Sequence, residues 1–481
     1  MHEPLWTFEE ISAALGVPAP AAKNPIANGV SIDSRTLKED DLFVAIKGER
    51  IDGHQFIEAA FEKGAAAAIA SKEHIPQSSH PLFQVSDTLE ALNALAAASR
   101  KRTNARVIAV TGSVGKTGTK EMLRLMLSGS GLTHASEKSY NNLWGVPLSL
   151  ARMPRSSEFA VFEIGMNHAG EIAPLTRLVR PIVAIITWVA PVHIAFFDSV
   201  ESIADAKAEI FEGLEQGGIA ILPADNDHFE RLAGWARKKD ATIIAFGERQ
   251  TADARLLSWR SLGTGSEVTA EILGSRVSFV LNAPGRHLAL NALATLAAGK
   301  VFGADIEEAA AALSGFTAPD GRGRRQKIET PEGIILLIDE TYNANPASMC
   351  AALEVLGETP RGEQGRRIAV LGDMLELGNG APLFHADLAS VIDSNDIDLV
   401  FCSGPLMQHL WERLPAPKRG GAAAAPEELE SALVKTVRGG DAVMIKGSLG
   451  SRMGLLAAAL RNSHETSLVG SAAPMRLKGF A

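Results

Sequence analysis

Apolar residues fall in short, nearly unbroken runs along the chain, separated by stretches with helical spacing. RVIAVTG from Arg106, FAVFEIG from Phe159, PIVAIITWV from Pro181, GIAILPAD from Gly218 and ATIIAFG from Ala241 are such runs. A strand open to water on one side alternates apolar with polar residues. A run apolar at successive positions predicts a strand buried on both faces, and so a parallel sheet covered by helices. A second set, IILLIDE from Ile334, RRIAVLGD from Arg366, DLVFCSG from Asp398 and DAVMIKG from Asp441, predicts another, smaller α/β unit. The first hundred residues hold shorter runs (LFVAIKG, AAAAIAS, LFQV) broken by turn residues, then an Ala-rich helical stretch, Leu89 to Arg100. Lys101 to Asn104 is a polar break. The Ala/Pro/Gly run around 415–426 predicts a surface loop, and the residues from Ser463 a loose tail. No repeat is visible at periods of 20–50 residues.

These patterns predict an α/β chain of three domains. They are a small N-terminal α/β domain (1–103), a central phosphate-loop domain on a parallel sheet (104–317) and a Rossmann-like C-terminal domain (318–462), with 463–481 as tail. The length of 481 residues suits that number. With 46% apolar and 21% charged residues the composition is that of globular protein. A net charge of −9 argues against a nucleic-acid binder, while leaving room for a local phosphate pocket. Two cysteines, Cys350 and Cys402, make neither a disulfide framework nor a metal site, which suits a reducing cytoplasm. The start, MHEPLWTFEE, is acidic and lacks an apolar signal core. The longest apolar stretch, Pro181 to Phe197, holds two prolines, Thr187 and His193, and predicts a buried strand and loop rather than a membrane span.

The sharpest local feature is Val107-Ile-Ala-Val-Thr-Gly-Ser-Val-Gly-Lys-Thr-Gly-Thr119, a strand running into a glycine loop. A helical pattern with Met122, Leu123, Leu125 and Met126 follows. The backbone amides of such a loop, with the helix N-terminus, bind anions. Gly112, Ser113, Val114, Gly115 and Gly118 would wrap nucleotide phosphates, Lys116 would reach the β/γ-phosphates, and the Thr117 hydroxyl would ligate Mg²⁺. The loop is a shortened G-x-x-G-K-T, since position 110 is Val where the longer motif has Gly.

An ATP enzyme of this kind needs acidic ligands for its metal. Glu163 closes the FAVFEIG run, at the carboxyl edge of the sheet beside the loop. His193 follows the next strand, and Lys207 lies 14 residues beyond it. Taken singly, the three are better explained as a solvated carboxylate, a satisfied core histidine and a surface lysine. Together, TGSVGKT, FEIGMNHAGEI and His193 with Lys207 resemble the Mur ligase family, which builds the peptide stem of bacterial peptidoglycan. Asp339-Glu-Thr-Tyr-Asn-Ala-Asn-Pro346, Leu371-Gly-Asp-Met-Leu-Glu-Leu-Gly378 and Lys446-Gly-Ser448 resemble its dipeptide-adding branch. So do Ser31-Ile-Asp-Ser-Arg35, Asp41-Leu-Phe-Val-Ala-Ile-Lys-Gly48 and Asp52-Gly-His54. The resemblance covers roughly residues 10 to 460.

That resemblance implies ATP and two Mg²⁺ ions, with Lys116 and Thr117 at the phosphates. It implies that Glu163 and His193 hold the second metal, and that Lys207 is carbamylated by CO₂, which requires a neutral amine. His287 and Asn291, in Pro284-Gly-Arg-His-Leu-Ala-Leu-Asn291, would lie near adenine; Leu288 stands where family members commonly have Asn. Arg322, Asp339, Tyr342, Asn343 and Asn345 would face the nucleotide from the C-terminal domain, with Glu340 where many members have a second Asp. Ser34 and Arg35 would contact the UDP end of the substrate, although Asp-Ser-Arg also makes a good turn. Lys446 would serve the substrates; the alternative is a strand-end surface lysine.

The implied activity is ATP-dependent addition of D-alanyl-D-alanine to UDP-N-acetylmuramoyl-tripeptide through an acyl phosphate, giving ADP and phosphate in the last cytoplasmic step of peptidoglycan precursor synthesis. Its partners would be those two small molecules, with no nucleic acid, no membrane insertion and a monomeric enzyme. Two rival readings stand at this point. A folylpolyglutamate synthase shares the phosphate loop but leaves the Asp-Ser-Arg and LGDMLELG segments unexplained. A regulatory nucleotide binder without catalysis leaves Lys116, Glu163, His193 and Lys207 unexplained.

Overall fold

A computed structural model describes residues 3–48, 51–73, 80–137 and 139–470. Three principal sheets form in sequence order. The first is wholly parallel, with strands Gly29–Ser31, Asp41–Val44, Ala67–Ser71 and Leu82–Val85. The helix Thr88–Lys101 follows it. Asp87 caps that helix by accepting from the N–H groups of Leu89 and Glu90, and Arg100 and Lys101 occupy its last turn, where the helix dipole favours cations.

The central sheet has nine strands. Its parallel part runs, across the sheet, Thr133–Ala135, Phe159–Glu163, Arg106–Thr111, Val183–Ile186, Ile219–Pro223 and Thr242–Gly247. The order explains the continuous apolar runs. Ile108, Val110, Val161 and Ile185 face one core with Met122, Leu123 and Met126. Val107, Ala109, Ala160, Phe162 and Ile186 face the opposite core with Ile172, Leu175 and Ile203. Successive side chains on a strand point to opposite faces, so both parities must be apolar when both faces are covered.

The parallel sheet expected here forms and continues beyond the predicted runs at one edge. Ala254–Ser261, Ser266–Ile272 and Ser275–Leu281 extend it, the last two through antiparallel pairing. These strands bury only alternate residues, for example Val268, Ala270 and Ile272, so they carry no unbroken apolar run.

The C-terminal sheet has six strands, in the order Arg324–Thr330, Gly333–Glu340, Ala442–Lys446, Arg367–Gly372, Leu399–Ser403 and Arg419–Ala423. The expected surface loop at 415–426 is therefore wrong in part. Ala416–Lys418 is a short 3-10 turn, Arg419–Ala423 is the edge strand, and a helix opens at Pro426. Small residues suit this edge, since a Cβ on Gly420 would meet the Phe401 ring at 2.7 Å. The tail also begins later than expected. The helix Gly454–Gly470 carries through Ser463, and residues 471–481 lie outside the described part of the chain.

Arg106–Thr111 lies between Phe159–Glu163 and Val183–Ile186. The chain lays strands first on one side of it and then on the other, so the loops at its carboxyl end diverge and leave a crevice. Phe162 is fully buried in the core behind that crevice. Phe162→Ala should cost about 3–5 kcal/mol through lost burial and an unfilled cavity. A drop of that size should appear in the urea unfolding midpoint of the central lobe.

Candidate active site

The crevice is a cleft of about 610 Å³ between the central and C-terminal lobes. The phosphate loop forms one wall, with Ser113, Val114, Gly115, Lys116 and Gly118. It is held by the segment after the neighbouring strand. Ser113 N–H donates to Trp188 O at 2.7 Å, Ser113 Oγ donates to Ala190 O at 3.0 Å, and Thr187 Oγ1 donates to Val114 O. Gly112, at φ 150°, has no room for a side chain, since a Cβ there would lie 2.0 Å from Thr187 Oγ1. Gly115, at φ 86°, is the N-cap of the helix Lys116–Ser128 and packs against the Asn291 amide. Lys116 Nζ donates to Gly112 O at 2.8 Å.

Thr117 and Glu163 are buried and hydrogen-bonded, Thr117 Oγ1 to Glu163 Oε2 at 2.8 Å. The other carboxylate oxygen accepts from Asn141 Nδ2 at 2.7 Å. His193 follows the Val183–Ile186 strand with a left-handed backbone, and its ring contacts Glu376 of the C-terminal lobe. Lys207, in the helix Val200–Ala208, is 3% exposed. Among the described residues its ammonium has no hydrogen-bond or ion-pair partner, and burial, with Lys116 next, pushes its pKa well down. Burial also lowers Lys116, which feels Glu163 favourably and Arg322 unfavourably. The His193 ring is lowered by burial first and is within electrostatic reach of both lysines. Lys116, His193 and Lys207 are thus close enough for their charges to act on one another.

From the C-terminal lobe, Arg322 stacks its guanidinium 4.0 Å from the centre of the Tyr342 ring and donates to Ser139 Oγ of the central lobe at 3.2 Å. Lys446 ends the Ala442–Lys446 strand and is 2% exposed. Its Nζ bonds Asn343 O at 2.9 Å and Glu340 Oε2 at 3.2 Å, so it is not a surface lysine. A second chamber of about 220 Å³ lies beside His193, with Leu375, Glu376, Ser448 and Leu449 among its walls.

Several expected residues gather here and several do not. His193, His287, Asn291, Arg322, Tyr342, Asn343, Asn345 and Lys446 line the cleft with the phosphate loop. Asp339, expected to face the nucleotide, turns away instead. It bonds Thr341 Oγ1 and Arg461 Nη2, each at 2.6 Å, and its strand neighbour Glu340 lines the cleft. Strand alternation allows only one of the two to face each side. Ser34 and Arg35 are not cleft residues; Arg35 is exposed and pairs bidentately with Asp33. Among the described residues no three His, Cys, Asp or Glu side chains gather as a ready metal cluster. Sequence reasoning missed Asn141, Thr187 and Glu376. Asn141 lies outside every predicted element, Thr187 lies inside the apolar run from Pro181, and neither carries a spacing signal of its own. Glu376 stood inside LGDMLELG, quoted only as a mark of resemblance.

Comparison with known proteins agrees with this architecture. The model of the Mur ligase middle domain matches residues 110–299. That of the Mur ligase glutamate ligase domain matches 323–449, and that of the Mur ligase family catalytic domain matches 27–100. The UDP-N-acetylmuramoyl-tripeptide--D-alanyl-D-alanine ligase of Rickettsia prowazekii is 33% identical over 450 residues, covering 93% of this chain and 98% of that protein. The crystal structure of MurF from Acinetobacter baumannii superposes with a TM-score of 0.83 at 29% identity, covering 96% of this chain and 99% of the other. MurF of Thermotoga maritima, solved with ADP, gives 0.76 at 27% identity over 91% and 98%. The chain belongs to the Mur ligase family, among its UDP-N-acetylmuramoyl-tripeptide--D-alanyl-D-alanine ligases.

Proposed function

We propose that this protein joins D-alanyl-D-alanine to UDP-N-acetylmuramoyl-tripeptide at the expense of ATP. The observation that carries the reading is the meeting of Lys116 on the phosphate loop with Arg322 and Lys446 of the other lobe in one cleft. The tripeptide carboxylate attacks the γ-phosphate of ATP, giving an acyl phosphate and ADP. The dipeptide amine then attacks the acyl carbon, an amide forms, and phosphate leaves. Carboxylate and triphosphate repel one another, so cations set before the reactants arrive lower the barrier. Lys116, Arg322 and Lys446 supply that charge from two sides. The site is built from two lobes, so closure around ATP accompanies turnover.

Thr117 Oγ1 and the Glu163 carboxylate offer hard oxygen donors 2.8 Å apart, which suits Mg²⁺. Bound there and at His193, Mg²⁺ would screen the phosphate charge. Among the described residues no cluster of three His, Cys, Asp or Glu side chains stands here, and Lys207, as a carbamate, would supply a further anion. A buried lysine whose pKa is pushed well down by burial and by Lys116 gives up its proton more readily, which the addition of CO₂ to form a carbamate requires. His287 and Asn291 would hold the adenine end. Arg35 and Ser34 would hold UDP in the N-terminal domain (1–103). The C-terminal domain (318–462) would take the dipeptide, and the Leu375 and Leu449 walls of the small chamber suit its two methyl groups. Asp339 would act only by holding the strand that presents Glu340. The enzyme would work as a monomer in the cytoplasm on small molecules alone; among the described residues no helix is long and apolar enough to cross a membrane.

Phosphate release that requires ATP, UDP-N-acetylmuramoyl-tripeptide and D-alanyl-D-alanine together tests the whole reading; release with glutamate and a folate in their place overturns it. Lys116→Ala should cost on the order of 10²–10³ in kcat with the fold intact. Arg35→Ala should raise the KM for the UDP-linked substrate and leave that for ATP nearly unchanged, because it holds a remote part of one substrate. Lys207→Ala should be inactive and partly restored by acetate, which replaces an anion, but not by methylammonium, which replaces a cation. Equal rescue by both would remove the carbamate.

A further inference from the structure

His193 and Glu376 come from different lobes and meet through ring Nδ1 and carboxylate Oε2. Both have left-handed backbones, φ 58° and 62°, a conformation that residues with a Cβ adopt only when their surroundings hold them there. The side-chain contact is one part of a wider clasp. Ala195 N–H donates to Glu376 O at 3.1 Å. Gly378 lies beside Ala195, at a distance where a Cβ on it would be in ordinary contact, 3.5 Å from Ala195 Cα. Ile194 packs against the core of the central lobe and that of the C-terminal lobe alike. Ring, backbone and apolar contacts therefore join segment 193–196 to segment 375–378.

A carboxylate only accepts hydrogen bonds, so the ring hydrogen of a neutral His193 sits on Nδ1 and the lone pair on Nε2. We infer that Glu376 is a positioning residue that fixes the tautomer and plane of His193, and that it does so only when the C-terminal lobe is docked on the central one. The inference rests on the reading of His193 as a metal ligand. It ties lobe docking to the readiness of the metal site, because the group orienting the ligand travels with the other lobe. Outer partners of this kind govern ligand orientation and basicity, and their loss typically lowers metal affinity about 10- to 100-fold.

Two measurements on the full chain test it. In histidine-¹⁵N-labelled protein, the His193 ring signals, assigned by their loss in His193→Ala, should report Nδ1–H in the parent. They should move toward the Nε2–H or exchange-averaged pattern in Glu376→Ala. In the ADP-bound protein, Mn²⁺ affinity read from the paramagnetic resonance of free Mn²⁺ should fall at least tenfold in Glu376→Ala. Glu376→Gln, whose amide oxygen can still accept from Nδ1–H, should retain most of the affinity and guards against a folding defect. In a His193→Ala background, Glu376→Ala should cause no further loss, since the two act as one unit. Unchanged ring signals in Glu376→Ala would overturn the inference, as would an equal Mn²⁺ loss in the His193→Ala background. Neither measurement uses the ligase substrates, so an inactive ligase assay would sink the proposed reaction and leave this result standing.

Discussion

Like charges held together out of water are the constraint on which this site depends. Burial lowers the readiness of both Lys116 and Lys207 to carry a proton, Lys116 lowers that of Lys207 further, and Arg322 does the same to Lys116. Two unit charges 4 Å apart at an effective dielectric of 20 repel by about 4 kcal/mol. Of the nearby carboxylates, Glu163 is engaged by Thr117 and Asn141 and Glu340 by Lys446. A site with this surplus of positive charge gains most from polyanionic ligands. The surplus is stored by the fold, since the cores on both faces of the central sheet keep the lysine-bearing helices in place.

The two lobes solve the same geometric problem in the same way. Glu163 ends one strand of the central sheet and the phosphate loop follows another. Glu340 and Lys446 end adjacent strands of the C-terminal sheet, paired in register. Carboxyl ends of parallel strands release their chains into loops at one edge, which is where α/β proteins bind ligands. Facing two such edges across one cleft lets each lobe supply groups that the other cannot reach. It also makes bonds across the gap, Arg322 to Ser139 and Glu376 to His193 among them, the ones that change when the lobes move apart.

Local order in the chain was legible because burial on both faces of a sheet writes itself as an unbroken apolar run. Each such run, from Arg106 through Asp441, became a strand. Phosphate chemistry was equally legible, because a loop that wraps phosphate must have glycine at Gly112 and Gly115, where the backbone turns left-handed or a Cβ would collide. Strands from 254 to 281 escaped notice because half of their side chains face water, which weakens the pattern to an alternation that turns and helices can imitate. The edge strand at 419–423 escaped for a related reason. Its alanines and glycines look like loop, and only the Phe401 ring packed over them explains their size.

The sequence by itself determined the fold class, the phosphate loop and the identities of the residues brought to it, since backbone conformation and burial act on each residue through its own chemistry. Tertiary structure alone decided which of them meet. Asp339 and Glu340 are neighbours with the same charge, yet the strand parity sends one to Arg461 and the other to Lys446. Lys446 could have been a surface charge until the other strands buried it. Glu376 and His193 are 183 positions apart, and nothing in either segment signals the other. Contacts of that kind come from the docking of whole lobes, whose geometry is a sum over many weak surfaces and leaves no mark at any one position in the chain.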